Sequence, residues 1–387
     1  MKPVNRYSAL AAVITAALVF FVVHFVTDNA ARDVPFTPPP PPAPTQVQTE
    51  TPPPPTATAA LAPETPEPTP EPISVTVAVG GDVLPDGRIG AQIQAGTYEN
   101  ILDPALAERM RAADVTMVNL ETSVSVRGAP IPEKAYTFRS PPDNLSLLTD
   151  WLGTDVVSLA NTHTFDYGWD AFFDTLEKTD AYGLAHIGAG NNIAEAAEPY
   201  IAEVDGVWIA FFAANQIMTY TNWRSGENSP GQLIVREPGE IEYICAAVAE
   251  AKRTCDYAVV YMHWGIELDK TPSQRQTSVA RALIDAGADV VIGAHPHVVQ
   301  TFELYNGKPI LYSVGNFLFN SLNPDTMVVF LHIDDEGLRV ETVPCVIRGT
   351  LTAPADADDR ARLFENWRNI SPGCDFTERG FLRDAAA

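Results

Sequence analysis

Polar side chains of metal-binding types follow five short apolar runs in this 387-residue chain. The runs occupy residues 73–79, 115–118, 156–160, 257–262 and 290–292. The side chains behind them are, in the same order, Asp82, then Asn119 and Glu121, then Asn161 and His163, then His263, and finally His295 and His297. Carboxylates, amides and imidazoles together form the mixed nitrogen and oxygen set that suits divalent transition metals. The pattern predicts a site for one or two ions of the manganese, iron or zinc type.

The runs themselves predict strands of an α/β domain, because they are rich in β-branched residues and alternate with segments of helical pattern. In open α/β sheets, ligands and catalytic groups gather beyond the carboxyl ends of the strands. Five strand ends can therefore converge. Each residue alone has an ordinary explanation, such as a turn for Asp82 or a packed imidazole for His263, and only the combination favours a metal site.

The motifs resemble the CapA family of capsule or poly-γ-glutamate synthesis proteins, within the calcineurin-like metallophosphoesterase superfamily. The resemblance covers about residues 73–348 and rests on Gly81-Asp82, Asn119-Leu120-Glu121, residues 159–163 with Asp166 and Gly168, His263-Trp264-Gly265 with Glu267, residues 272–297, and residues 312–317. It implies a four-layer αββα metallophosphatase-like sandwich, with two mixed sheets between helical layers and a site at one edge.

Carried over residue by residue, the resemblance implies six metal ligands, which are Asp82, Glu121, Asn161, His263, His295 and His297. It also implies catalytic roles for His163, as the acid that protonates a leaving oxygen, and for Asp166. Two departures bear on this. Leu84 stands where the superfamily has a histidine, and Thr162 stands where the family usually has a second asparagine. Because of these departures, three alternatives stay open: one metal binds weakly or is absent, Asn161 has another role than metal ligand, or catalysis is lost.

Three residues are predicted to contact a substrate, namely Asn119, Arg139 and Trp264. Arg139 closes a segment, residues 134–139, in which two basic and two aromatic side chains could touch an anionic substrate. A solvated loop with a packed Phe138 explains the same segment. Trp264 is alternatively a wall that excludes water.

The net charge restricts the possible partners. The chain has 25 basic and 49 acidic side chains, a formal charge of −24, and such a field repels a phosphate backbone. Nucleic acid is therefore excluded as a partner. An anionic substrate would need a local positive centre such as a bound metal.

The N-terminal residues predict a membrane anchor. Residues 9–26 are almost entirely apolar and follow Lys2 and Arg6; as a helix they would rise about 27 Å, close to the hydrocarbon thickness of a bilayer. No A-x-A-like cleavage site follows, which favours an uncleaved signal anchor over a cleaved signal peptide. The basic residues favour a cytoplasmic N-terminus and an extracytoplasmic remainder. Sixteen of the 33 prolines lie in residues 35–72, which predicts an extended, disordered stalk.

The predicted organisation is a cytoplasmic tip and transmembrane anchor in residues 1–30, a linker in 31–72, a CapA-like domain in 73–348, and a C-terminal extension in 349–387. All four cysteines lie in the part predicted to be outside, where disulfides persist. Pairing Cys245 with Cys255 and Cys345 with Cys374 needs the least chain travel, and free buried thiols are the alternative.

Two functional hypotheses follow. One is a membrane-anchored, metal-dependent hydrolase that acts on a cell-envelope polymer or its phosphorylated precursor. The other is a non-catalytic, metal-stabilised subunit of a complex that synthesises or exports capsule polymer, with other membrane subunits as partners. Whether the chain is an enzyme is left open by the Leu84 and Thr162 departures.

Overall fold

The computed structural model describes residues 73–217, 220–319 and 323–386. The predicted anchor and stalk, residues 1–72, lie outside the described residues. None of the helices in the described ranges is long and apolar enough to cross a membrane.

Twenty strands form in the described ranges. In chain order they are β1 (Ser74–Val83), β2 (Val115–Leu120), β3 (Ser123–Val124), β4 (Arg139–Ser140), β5 (Val156–Ser158), β6 (Ala185–Ile187), β7 (Ala189–Gly190), β8 (Tyr200–Val204), β9 (Val207–Asn215), β10 (Gly231–Gln232), β11 (Tyr257–His263), β12 (Val290–Ala294), β13 (Phe302–Tyr305), β14 (Lys308–Leu311), β15 (Asn316–Leu318), β16 (Asp325–Asp334), β17 (Gly337–Arg348), β18 (Leu351–Pro354), β19 (Cys374–Phe376) and β20 (Leu382–Asp384).

Two large mixed sheets contain most of these strands. Sheet 1 has the order β18-β17-β16-β1-β2-β5-β6, with β15 beside the end of β1. Its strands β1, β2, β5 and β6 are parallel to one another, whereas β16 to β18 are antiparallel. Sheet 2 has the order β13-β14-β12-β11-β9-β8, with β9, β11, β12 and β14 parallel. The parallel strands in the middle of each sheet carry the predicted site residues at their carboxyl ends.

Within the part of the chain that the structure describes, seven α-helices accompany the sheets. They are α1 (Gly87–Gln94), α2 (Pro104–Arg111), α3 (Gly168–Ala181), α4 (Ile193–Ala197), α5 (Pro238–Ala251), α6 (Gln274–Asp285) and α7 (Ala357–Ile370). Several begin at an N-cap that their sequence predicts. Ser273 and Gln276 form a reciprocal capping box at the start of α6, and the Asp103 side chain accepts hydrogen bonds from the first turn of α2, which satisfies amides that have no partner within the helix.

Alternating side chains on the strands build the layers. Val77 of β1 and Phe211 of β9 belong to one core, which therefore lies between the sheets. The next residue of β1, Ala78, faces the other way and packs with Met110 of α2 and Phe172 of α3, as expected for a side-chain period of two. On the far side of sheet 2, α6 packs on β12 and α5 packs beside α6. The order is helices, sheet 1, sheet 2, helices, and the prediction of a mixed α/β fold is confirmed.

All five predicted strands form, and each begins within one residue of its predicted start. Three of them, β1, β2 and β11, continue into the polar residues that were expected to follow them. Asp82, for example, still pairs with Asn119 of β2 and Asn316 of β15, and His263 pairs with Ala294 of β12. Asp82, Asn119 and His263 are therefore held by ladder pairing, whereas Glu121, His295 and His297 lie just beyond the strand ends.

The C-terminal residues 349–387 were predicted as an extension. Within them, β18 joins sheet 1, and Leu363, Phe364 and Trp367 of α7 join the core between the sheets. The segment is therefore part of the folded domain.

The four cysteines are free thiols, so the predicted pairings do not form. Cys255, Cys345 and Cys374 are buried. Burial raises the pKa of Cys345 to about 12 and the pKa of Cys374 to about 11. The alternative of free buried thiols is the correct one.

Candidate metal centre

The carboxyl ends of β1, β2, β11 and β12 bring five of the six predicted ligands into two overlapping groups. In the first ligand group, atoms of Glu121, His263 and His295 all lie within 4.8 Å of one another. In the second ligand group, the same holds for Asp82, Glu121 and His297. Glu121 belongs to both groups, so it would serve as a ligand to an ion held in either.

Buried atoms without partners test whether these residues fit a metal. Both carboxylate oxygens of Glu121 and both ring nitrogens of His295 are buried, and no described residue hydrogen-bonds to them. A buried polar group left unsatisfied costs about 1–3 kcal/mol, and a charged one costs more. A divalent cation at this position would satisfy the Glu121 carboxylate and one of the two ring nitrogens of His295, so the residues fit the group that the resemblance implies.

The electrostatics of the two imidazoles in the first ligand group agree with that fit, whereas Glu121 would have to lose a proton to bind an ion. Burial, with repulsion from Asp82, raises the pKa of Glu121 well above its usual range. Burial also lowers the pKa of His263 and His295 well below the usual value. The two imidazoles are therefore neutral at pH 7, which is the form that binds metal.

His297 has a different environment from the other two imidazoles. Its Nδ1 lies 2.7 Å from Asn316 Oδ1 and 3.5 Å from Asp82 Oδ2. Burial opposes protonation, but the interactions with Asp82 and Asn316 outweigh it and raise the pKa of His297. An ion in the second ligand group would have to compete with this proton. No role was predicted for Asn316 from sequence, where it belongs only to the family motif of residues 312–317.

The turn after β12 has an unusual backbone. His295 has a φ of 94° and His297 a φ of 56°, in a region that non-glycine residues seldom occupy and that costs about 1–3 kcal/mol each. Pro296 separates them, and the His295 amide donates a long hydrogen bond of 3.4 Å to Asp82 Oδ2. The turn thereby aims its two imidazoles at the ends of β1 and β2.

Asn119 orients Asp82, and this corrects its predicted role in substrate binding. Its side chain is completely buried, and its amide donates to Asp82 Oδ1 at 2.8 Å. Its own oxygen accepts from Asn161 Nδ2 at 3.0 Å. A side chain enclosed in this way has no surface to offer a substrate.

Asn161 holds the loop after β5. Its Oδ1 accepts hydrogen bonds from the His163 amide at 2.9 Å, the Thr164 amide at 3.1 Å and the Thr164 hydroxyl at 3.0 Å. These bonds compete with metal binding for the same oxygen lone pairs. The ligand role of Asn161 stays a prediction.

His163 and Asp166 form a buried pair. The His163 Nδ1–H donates to Asp166 Oδ2 at 2.6 Å, and Asp166 also accepts from the Phe138 amide at 2.7 Å. Lys134 contacts the other carboxylate oxygen of Asp166 and donates to the Thr162 carbonyl at 2.5 Å. Burial lowers the pKa of both His163 and Lys134. Lys134 was predicted only as part of a substrate-contacting loop, and its partnership with Asp166 was not foreseen.

Two phenylalanines connect the acid pair to the metal-ligand turn. The ring centroid of Phe138 lies 4.3 Å from that of His163 and 5.9 Å from that of Phe319. Phe319 in turn lies 5.1 Å from His297. These rings form one apolar wall beside the polar groups, and no feature of the sequence predicted that Phe319 belongs to it.

The other two predicted substrate contacts are engaged elsewhere. Trp264 is completely buried, and its indole N–H donates to the Tyr312 carbonyl at 2.8 Å, so it belongs to the core and is not a substrate platform. Arg139 donates to the Arg127 carbonyl at 3.1 Å and lies 4.2 Å above the Tyr167 ring. Its guanidinium therefore stabilises its own loop.

Comparison with known proteins adds a family. Residues 76–321 match the model of the family described as "Bacterial capsule synthesis protein PGA_cap". The chain is 33% identical over 254 residues to "PGA biosynthesis protein CapA" of Bacillus subtilis (strain 168), a match that covers 64% of this chain and 65% of that protein. It is 34% identical over 223 residues to "Capsule biosynthesis protein CapA" of Bacillus anthracis, covering 55% of this chain and 53% of that protein. The matches thus span about half to two thirds of these relatives.

Solved structures give more distant matches. The NAD nucleotidase (NadN) of Haemophilus influenzae aligns with a TM-score of 0.44 and 10% identity, over 78% of this chain and 64% of that chain. The 5'-nucleotidase of Candida albicans SC5314 aligns with a TM-score of 0.39 and 10% identity, over 75% of this chain and 53% of that chain.

Proposed function

This chain belongs to the bacterial capsule synthesis protein family PGA_cap, and from that premise we propose that it is a metal-dependent hydrolase of capsule or poly-γ-glutamate biosynthesis. Its substrate would be a cell-envelope polymer or a phosphorylated precursor of one. The observation that carries this proposal is the pair of ligand groups that share Glu121 beside the His163–Asp166 pair. The biological process in this proposal is taken from the names of the two Bacillus relatives, which are biosynthesis proteins for PGA and for capsule.

Each part of the site has a chemical task in this proposal. Glu121, His263 and His295 would hold one ion, and Asp82, Glu121 and His297 the other. Bound there, the ions would polarise a phosphoryl or acyl oxygen and lower the pKa of a bound water. They would also supply the positive centre that an anionic substrate needs near a chain with a charge of −24.

In this proposal, His163 and Asp166 carry out the proton transfer to or from the leaving oxygen. Because Asp166 occupies Nδ1 of His163, Nε2 is the ring nitrogen left to exchange a proton with the leaving oxygen. Phe138, whose ring is tilted by 33° against the imidazole with the two centroids 4.3 Å apart, limits the access of water to that face. Asp166 thus fixes the orientation of the imidazole, and His163 acts on the substrate.

We expect His163→Ala to lower turnover by about 10²–10⁴-fold, the usual contribution of a general acid or base. Metal content should stay the same, because His163 belongs to neither ligand group. Turnover would be measured on a generic phosphomonoester, a generic phosphodiester and poly-γ-glutamate, and bound metal by emission spectrometry. A parent protein that binds metal but turns over none of these substrates would refute the hydrolase proposal as stated.

One observation favours the non-catalytic alternative, in which a metal-stabilised subunit holds the polymer or another subunit of a synthesis or export complex. The second ligand group has three protein side chains, and Leu84, two residues after Asp82, is apolar and buried. If this alternative holds, polymer production in cells survives His163→Ala but not removal of residues 1–30.

The location outside the cytoplasm is also a proposal, supported by the apolar residues 9–26 and by the basic Lys2 and Arg6 in front of them. A reporter enzyme that is active only outside the cytoplasm should be active when fused after Pro72, and extraction of the full chain should need detergent. The same reporter fused after Arg6 serves as the negative control. Finding the full-length protein as a soluble cytoplasmic pool would contradict this location.

A further inference from the structure

We propose that the hydroxyl oxygen of Thr162 is the fourth protein ligand of the ion held by the first ligand group. This inference rests on the proposed metal chemistry and deepens it. It gives a metal-binding role to Thr162, which stands where the family usually has a second asparagine.

The distances around His263 carry the inference. Thr162 Oγ1 lies 3.5 Å from His263 Nε2, and the same nitrogen lies 3.6 Å from Glu121 Oε1. Both distances exceed those of ordinary hydrogen bonds, which are about 2.7–3.2 Å. Two ligand atoms that each lie about 2.1 Å from one ion, at a tetrahedral angle, are about 3.4 Å apart. Both distances from His263 Nε2 are therefore those expected between ligands of one cation.

The side-chain oxygens of Asn161 and Asn119 already accept hydrogen bonds, whereas the Thr162 hydroxyl is available to bind an ion. Asn161 Oδ1 accepts three hydrogen bonds from its own loop, and Asn119 Oδ1 accepts one from Asn161. By contrast, the long contact with His263 is the single hydrogen bond of the Thr162 hydroxyl among the described residues. The side chain is 8% exposed, so bulk water has little access to it.

The loop presents the hydroxyl in a fixed position. Lys134 donates to the Thr162 carbonyl at 2.5 Å, and Asn161 binds the amides on the far side of Thr162. The β-branched side chain of threonine restricts χ1 further. A ligand that is fixed before the ion arrives loses little conformational entropy on binding.

The chemistry of the donor set also fits. Threonine and serine hydroxyls bind Mg²⁺ in phosphate-binding loops, so a neutral alcohol oxygen is an accepted ligand of a hard cation. Together with two imidazoles and one carboxylate, it gives a set of mixed hardness that suits Mn²⁺. Manganese is therefore the ion with which to test the inference.

The test compares the full chain in detergent with Thr162→Val, which keeps the shape of the side chain but loses its oxygen, and with Thr162→Ser, which keeps the oxygen. MnCl₂ is titrated into each metal-free protein by calorimetry, bound manganese is counted by emission spectrometry, and the Mn²⁺ spectrum is recorded by electron paramagnetic resonance. Since outer-shell residues already change metal affinity by about 10–100-fold, we expect Thr162→Val to weaken one of two bound ions by at least about tenfold. Thr162→Ser should stay within about threefold of the parent, within the usual context dependence of such contributions.

Three results would overturn the inference. If the parent and Thr162→Val both bind two ions with equal affinity, Thr162 is not a ligand, while the proposed function stands. If Thr162→Ser loses as much affinity as Thr162→Val, the effect comes from packing and not from the oxygen. If the metal-free parent binds no manganese, the metal basis of the proposed function fails together with the inference.

Discussion

Replacing His295 and His297 together with alanine is expected to abolish the binding of divalent metal. Each imidazole belongs to a different ligand group, so the double variant leaves Glu121 with His263 on one side and Asp82 with Glu121 on the other. The second group keeps only two carboxylates, and the first keeps one carboxylate, one imidazole and the neutral hydroxyl proposed for Thr162, so neither retains a donor set that holds a transition metal tightly. Metal would be counted on the segment after Pro72 by emission spectrometry.

The same variant should lose its thermal response to metal. A ligand present at 100 times its Kd stabilises a fold by about 2.7 kcal/mol, so a chelator should lower the melting temperature of the parent but not that of the double variant. His186→Ala is the matched control, because this imidazole pairs with Asp180 and belongs to neither ligand group. A parent without bound metal, whose melting temperature does not change with chelator, would show that the site does not exist.

The strands, and the side chains of metal-binding types that follow them, could be predicted because both depend on local sequence. A run such as residues 257–262 is apolar and β-branched, and the polar residue that ends it, His263, is visible in the chain itself. The general rule that parallel strands present their carboxyl ends at one edge then brings distant residues together without any knowledge of their contacts. Asp82, Glu121, His263, His295 and His297 were all found in this way.

The roles that failed or were missed depend on tertiary contacts. Trp264 and Asn119 follow the same strand-end pattern as the ligands, but their neighbours enclose them completely. Which side chains at a strand end face inward depends on register and twist, and neither is readable from residue types. The disulfide expectation failed for the same reason, because sequence separation does not give the distance or direction between two cysteines.

Lys134→Met is expected to destabilise the domain by about 3–5 kcal/mol, the usual cost of removing one partner from a buried ion pair. Asp166 is completely buried, and the Lys134 side chain is 11% exposed, so water cannot replace the lost ammonium. The hydrogen bonds from His163 and from the Phe138 amide remain and favour the lower end of that range. The free energy of unfolding would be measured with urea on the segment after Pro72, without metal.

Lys178→Met is the matched control, because the partner of Lys178, Glu177, is 69% exposed and exposed pairs contribute only about 0–1 kcal/mol. Adding Asp166→Asn to Lys134→Met separates charge from packing. The double variant leaves no uncompensated carboxylate, so it should cost less than the sum of the two single changes, with a coupling of about 1–3 kcal/mol. If the losses in the free energy of unfolding were additive, Lys134 would stabilise the loop only through its hydrogen bond to the Thr162 carbonyl. The orientation of His163 would then depend on Asp166 and not on Lys134.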